Sequence, residues 1–238
     1  MIDSDLKDML SKKFPGKQDL INKLCPMVER AYMEPWRYYH NVGHILFCFK
    51  ELEQVEKVIG NLTVCRIALW YHDVIYVPGS LYNEKMSGEL AELHIRLLAP
   101  DQNFLGLIIK DMIKGTPNKE LRGDWKYFHD VDFSILGQPE KIYSEYVRSI
   151  YKENMTLFGQ EQITDYRERF LRKMLLEKKI FKSEYFRDLY EEKARANIKF
   201  EQKEIKSILN TKICPHLHNT MLSAGLTCDD CGIIIRRF

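Results

Sequence analysis

The sequence has 238 residues, 45% hydrophobic and 29% charged, which is the composition of a folded globular chain and excludes a disordered one. Lysine and arginine total 36 against 34 aspartate and glutamate, for a net charge of +2. That near balance argues against a protein built to coat nucleic acid or an anionic membrane, and leaves room for a local basic groove that holds phosphate.

The opening segment, MIDSDLKDMLSKKF, is acidic and amphipathic. It lacks the basic start and apolar stretch of a secretory signal, and no apolar run in the chain is long enough for a transmembrane helix. The expected location is the cytoplasm, with no membrane contact. DLINKLCPMVERAY has helical apolar spacing, with Pro26 inside it. From Asn41, VGHILFCFKELEQVEKVI continues as helix to a stop at Gly60 and Asn61. LTVCRIALWYHDVIY is almost wholly apolar and is expected as a central helix. VPGSLYN is a loop, punctuated by Pro78 and Gly79. EKMSGELAELHIRLLA is a helix closed by Pro100, and NFLGLIIKDMIKG is another, ended by Gly115 and Pro117. ELRGDWKYFHDVDFSILG leads into long charged helices between Pro139 and about Asn210, with apolar faces and many i,i+4 charge pairs. No segment before Cys214 alternates with the period of a strand. The expected class is all-α: one helical domain over residues 1–210, then a short segment over 211–238. Cys25, Cys48 and Cys65 lie within helical patterns and are expected as reduced core residues.

Metal-ligating side chains recur on separate helices. WRYYHNVGHI places His40 and His44 at i,i+4, so they are expected to share one helix face. ALWYHDVIY carries His72 and Asp73 inside an apolar run, where an unpaired charge is costly. HDVDFSILG carries Asp130 and Asp132. Imidazole and carboxylate donors suit Mn, Fe, Co, Ni, Zn or Mg, and donors from several helices build a site inside a bundle. A lone histidine-aspartate pair is more often a hydrogen-bonded dyad; the order H…HD…D on apolar helices is far more specific.

YHNVGHI, ALWYHDVIY, NEKMS and DVDFSILG together resemble the HD-domain superfamily of metal-dependent phosphohydrolases, over roughly residues 30 to 205. The resemblance implies a helical bundle holding one divalent metal on His44, His72, Asp73 and Asp132. Asp132 is taken over Asp130 because the family ligand is followed by an apolar residue and begins a helix. Asp130 is then expected to orient a ligand, and His40 to face substrate or hydrogen-bond it. Two-metal relatives add further histidines; the candidates here, His94 and His129, stand in no matching motif, so a single metal is expected. Some relatives carry a glutamate after the HD pair that moves a proton. Tyr76 occupies that place, and Glu84 becomes the candidate general acid if partial burial raises its pKa.

A phosphate also needs cationic partners. Arg37 lies seven residues before His44 and would share its helix face if the helix starts that early. Lys119, in IKGTPNK, takes a position where relatives often carry histidine. Arg148, Lys152 and Arg167 fall in the later family-like segments, although Tyr151 stands where an arginine is usual. No glycine-rich phosphate loop and no serine nucleophile elbow occurs. The implied substrate is a nucleotide or another small phosphorylated metabolite.

The end of the chain, CPHLHNTMLSAGLTCDDCGIIIRRF, is of another kind. Cys228 and Cys231 form C-x2-C followed by glycine, the shape of a zinc knuckle. Cys214 with His216, taken over His218, completes a four-ligand set, with two hairpin arms around Ser-Ala-Gly. Zinc would supply folding energy that so short a segment lacks. Such a ribbon would contact nucleic acid or a protein. Two other functions fit the same residues: a nucleotide sensor without turnover, and an HD-type two-iron oxygenase.

Overall fold

Helices form where the apolar spacing places them over most of the chain. The computed structural model describes residues 5–115, 123–155, 159–210, 219–222, 225–228 and 234–236. Its helices are α1 (Asp5–Lys13), α2 (Gln18–Tyr32), α3 (Val42–Glu53), α4 (Leu62–Tyr71), α5 (Asn83–Leu98), α6 (Asn103–Lys114), α7 (Asp124–Phe133), α8 (Glu140–Met155), α9 (Gln160–Leu176) and α10 (Glu184–Asn210). The described chain is thus helical up to Asn210, in agreement with the all-α expectation. No helix among the described residues is long and apolar enough to cross a membrane.

Contacts divide the chain into two compact units. The first comprises Met1–Ser134 with Phe181–Phe186, and its centre is α4. Val64, Cys65, Ile67, Ala68, Leu69, Trp70 and Tyr71 are all buried, so this helix is covered on every side, as its apolar sequence requires. Its start is set by Asn61, whose side chain accepts from the Val64 N–H at 3.1 Å. The Asp124 carboxylate accepts from the Gly60 and Asn61 N–H groups, each at 2.8 Å, and so anchors this start to α7. At the other end the Tyr32 hydroxyl donates to the Trp70 carbonyl at 3.0 Å, satisfying one acceptor that a helix end leaves open.

α5 and α6 form a hairpin at close range. A Cβ on Gly88 would stand 3.1 Å from the Lys110 carbonyl oxygen, and one on Gly106 would stand 3.1 Å from that of Glu92. The two glycines let the backbones approach, and Lys110 and Glu92 pair across the gap at 2.5 Å. Through Asn83 and Ser87, α5 also bonds the segment that follows α4, which matters for the site.

The second unit comprises Ile135–Ile180 and Arg187–Phe238. Tyr143, Ile150, Ile163, Leu171, Ala194 and Ile198 are buried among α8, α9 and the later part of α10. Arg167 lies within this core, bonded through Nε and Nη2 to the Glu201 carboxylate at 2.7 and 3.1 Å and through Nη1 to the Tyr146 hydroxyl at 2.9 Å. The Tyr143 hydroxyl donates to the same carboxylate. After α10 come three short strands, β1 (Asn219–Leu222), β2 (Gly225–Cys228) and β3 (Ile234–Arg236), in an antiparallel sheet of order β1-β2-β3. Leu222 pairs with Gly225 across the Ser-Ala-Gly segment, and the β2–β3 register shifts at Leu226/Thr227.

Candidate metal centre

Three helix ends in the first unit deliver the candidate ligand side chains. Asn41 caps α3, accepting from the Gly43 N–H at 2.7 Å, so His44 falls in the first turn. His40 lies before the cap, in the preceding turn, and does not share a helix face with His44 as the spacing suggested. Arg37 lies earlier still and is not on that helix. α4 ends at Tyr71, with His72 as its C-cap. The His-Asp pair therefore sits at the exit of the central helix, not within it. Asp132 lies in the last turn of α7 and closes a helix, where a helix start was expected.

The donor atoms meet. His44 Nε2 is 3.0 Å from His72 Nε2 and 3.3 Å from Asp132 Oδ1. His72 Nε2 is 3.6 Å from the same Asp132 oxygen. Asp73 Oδ2 stands 3.0 Å from His72 Nε2 and 3.6 Å from His44 Nε2. Donors bound to one ion at ~2.0–2.2 Å stand about 3–3.6 Å apart at right or tetrahedral angles. His44, His72 and Asp132 form a group able to hold a metal ion, each donor within 4.8 Å of the others. Asp73 lies outside that mutual group and joins it through the two histidines.

His72 shows the orientation expected of a ligand. Its Nδ1 is 2.8 Å from the Leu69 carbonyl oxygen, so Nδ1–H donates there and Nε2 faces the cluster. Both histidines are almost fully buried, and the Asp73 side chain is 13% exposed against 33% for Asp132. Burial lowers the pKa of His44. Burial also opposes charge on His72, but Asp73 and Asp132 beside it outweigh that and raise its pKa well above the ordinary value. Burial by itself would raise the Asp73 carboxyl, yet His72, His40 and His44 hold it well below the usual range. Asp132 is likewise held down by His44 and His72 against its own burial. The pocket thus keeps two carboxylates ionised and draws positive charge to the point between them. Cys48 fills space beside His44, its Sγ 3.7 Å from Nε2, and burial followed by Asp132 and Asp73 pushes its thiol pKa up.

The other residues singled out in the sequence have separate fates. His40 stacks on Tyr76 with ring centroids 3.9 Å apart, and its ring is 5.8 Å from that of His44. Arg37 is buried and turned to internal acceptors: the Glu34 carboxylate and the carbonyls of His40, Asp73 and Val74. Glu84 is exposed in the first turn of α5, so the partial burial expected of it is not there. Asp130 is fully buried but does not orient a ligand of the cluster; its carboxylate accepts from the Lys182 and Ser183 N–H groups at 2.7 and 2.6 Å. His129 pairs with Asp130, and His94 with the Tyr71 hydroxyl, each at 3.0 Å. Arg148 and Lys152 are exposed on α8 in the second unit, where Arg167 is held by Glu201. Lys119, Cys214, His216, His218 and Cys231 lie outside the described residues, as does the side chain of Cys228.

Two residues of NEKMS went unnoticed in the sequence. Asn83 and Ser87 are buried, while Glu84 between them is not. Their i,i+4 spacing was the available signal, since it places both on one face of α5. No protein-family model matches this chain, and no curated protein or solved structure matches it.

Proposed function

We propose that the protein is an HD-type metal-dependent phosphohydrolase of the cytoplasm, acting on a nucleotide or a related small phosphorylated metabolite. The observation that carries this is the meeting of His44, His72 and Asp132, with Asp73 against both histidines, at the positions the HD-like motifs name. In this reading the four residues hold one divalent ion, of Mn, Co, Ni, Fe, Mg or Zn. When bound, such an ion supplies Lewis acidity towards a phosphoryl oxygen and towards water. Asp73 and Asp132 remain ionised and balance its charge. The Leu69 carbonyl keeps His72 turned so that Nε2 faces the cluster. His40, its ring 5.8 Å from that of His44, is the group we propose to hold or deliver the proton of the leaving oxygen. Glu84, exposed on α5, is the weaker candidate for that role.

The end of the chain, 211–238, is proposed as a zinc ribbon on Cys214, His216, Cys228 and Cys231, contacting nucleic acid or a protein. Its support is the pairing of β1 with β2, whose last residue is Cys228. The test is metal counting and phosphate release in wild type, Asp73→Ala and a Cys228→Ser/Cys231→Ser variant, over a nucleotide panel with Mn, Co, Ni and Mg. Loss of one metal and of all phosphate release in Asp73→Ala upholds the proposal. Metal confined to the cysteine segment, with no phosphate released by wild type, rejects it and leaves a sensor. Two irons with oxygen-dependent turnover would make the protein an oxygenase.

A further inference from the structure

The segment from Asp73 to Val77 leaves α4 and belongs to no helix or strand. Its backbone is nonetheless bonded group by group to side chains. The Asp73 N–H donates to the Tyr32 hydroxyl at 3.3 Å, and the Asp73 carbonyl accepts from Arg37 Nη1 at 2.6 Å. The Val74 carbonyl accepts from Arg37 Nη2 at 3.0 Å. Ile75 gives its N–H to Ser87 Oγ at 3.0 Å, and its carbonyl accepts from the same hydroxyl at 3.1 Å. Val77 is matched twice by Asn83, N–H to Oδ1 at 3.0 Å and carbonyl to Nδ2 at 2.9 Å. Asn83 and Ser87, one turn apart on α5, thus imitate a neighbouring strand.

Such an arrangement has a consequence for Asp73. His72 is held by the end of a buried helix. Asp73 is one residue further, where the side-chain bonds above join a single backbone bond, Val74 N–H to the Tyr71 carbonyl at 3.2 Å, and a loose backbone would let its carboxylate swing away from His72. Arg37 is itself restrained: Nε bonds Glu34 at 2.8 Å, and the guanidinium carbon lies 5.3 Å from the ring centres of Tyr32 and of Trp36. A forked planar group presents its donors to successive carbonyls in one fixed geometry, whereas an ammonium is a point charge with rotatable donors.

We propose that Arg37, Asn83 and Ser87 are positioning residues of the metal centre, holding the 73–77 backbone so that the Asp73 carboxylate stays against His72 and His44. This rests on the metal reading given under the proposed function, and it gives Arg37 a different task from binding phosphate. NEKMS then serves the 73–77 backbone through its asparagine and serine.

The experiment measures Ni(II) affinity by competition with a chelating dye, using full-length protein. The variants are Arg37→Lys, Ser87→Ala, Asp132→Ala and, as a control on the buried face of α1, Leu10→Ala. Asp132→Ala defines how much binding belongs to this centre. Arg37→Lys and Ser87→Ala should each bind Ni(II) about 10–100-fold more weakly while keeping helical circular dichroism, as is usual when groups behind a ligand are removed. Leu10→Ala should lower Tm and leave the affinity alone. Wild-type affinity in Ser87→Ala and Arg37→Lys overturns the proposal, and so does an equal weakening by Leu10→Ala, which would mark general loosening. Arg37→Lys that loses inorganic phosphate binding but keeps Ni(II) affinity overturns it in favour of a substrate role. Should Arg37→Lys not fold, Ser87→Ala decides. If wild type binds no Ni(II) that Asp132→Ala removes, the metal reading itself falls and this proposal with it.

Discussion

Arg37 and Arg167 each stand near a motif, and in the sequence each could hold a phosphate. The structure spends both internally, on different things. Arg37 bonds backbone carbonyls beside the candidate centre, whereas Arg167 forms a buried fork with Glu201 in the second unit. A guanidinium shows its distant partners only when the chain is folded against it, because Asp73, Val74 and Glu201 lie tens of residues away. Burial of Arg167 opposes its charge, but Tyr146 and Glu201 outweigh that and raise its pKa, so it remains a cation throughout. Removing it strands a carboxylate in a dry core. Arg167→Ala should therefore cost about 3–5 kcal/mol of stability. Urea unfolding measures this, and a loss below about 1 kcal/mol would mean the pair is not buried in solution.

Helix ends, more than helices, decide what the candidate centre looks like. The periodicity of α3, α4 and α5 is plain in the sequence, since i,i+3 and i,i+4 contacts are local. The boundaries are less plain, because an apolar pattern does not end where the helix does. ALWYHDVIY reads as continuous core, yet α4 stops at Tyr71 and hands His72 and Asp73 to a side-chain-bonded segment. Asn41 could have been recognised as a cap, which would have separated His40 from His44. Asp132 lies one residue before the end of α7, and a short 3₁₀ turn, Ser134–Gly137, follows at once. Gly137 is needed there, because a Cβ on it would overlap the Cβ of Tyr190 on α10. Gly137→Ala should destabilise the protein by roughly 1–3 kcal/mol through overpacking. Thermal unfolding would show this, and an unchanged Tm would place Tyr190 elsewhere.

At the scale of the whole molecule, metal and fold should be linked. A ligand that binds only the folded chain stabilises it by an amount set by its concentration over Kd, about 2.7 kcal/mol at a hundredfold excess. Wild type titrated with Mn(II) or Ni(II) should rise in Tm, and Asp132→Ala should show little of that rise. An equal rise in both would locate the binding outside the cluster. The residues of this centre were legible as types and as an order along the chain: a histidine, a histidine-aspartate pair and an aspartate on apolar segments. Local sequence sets those, together with the helical class and the apolar face of each helix, because both depend on neighbours within one or two turns. Tertiary structure alone decided that His44, His72 and Asp132 share one point, that Asp130 serves two backbone N–H groups, and that Asn83 and Ser87 hold the chain beside Asp73. The physical reason is that a carboxylate or a hydroxyl does not encode its partner; that partner is chosen when burial forces every polar group to find one.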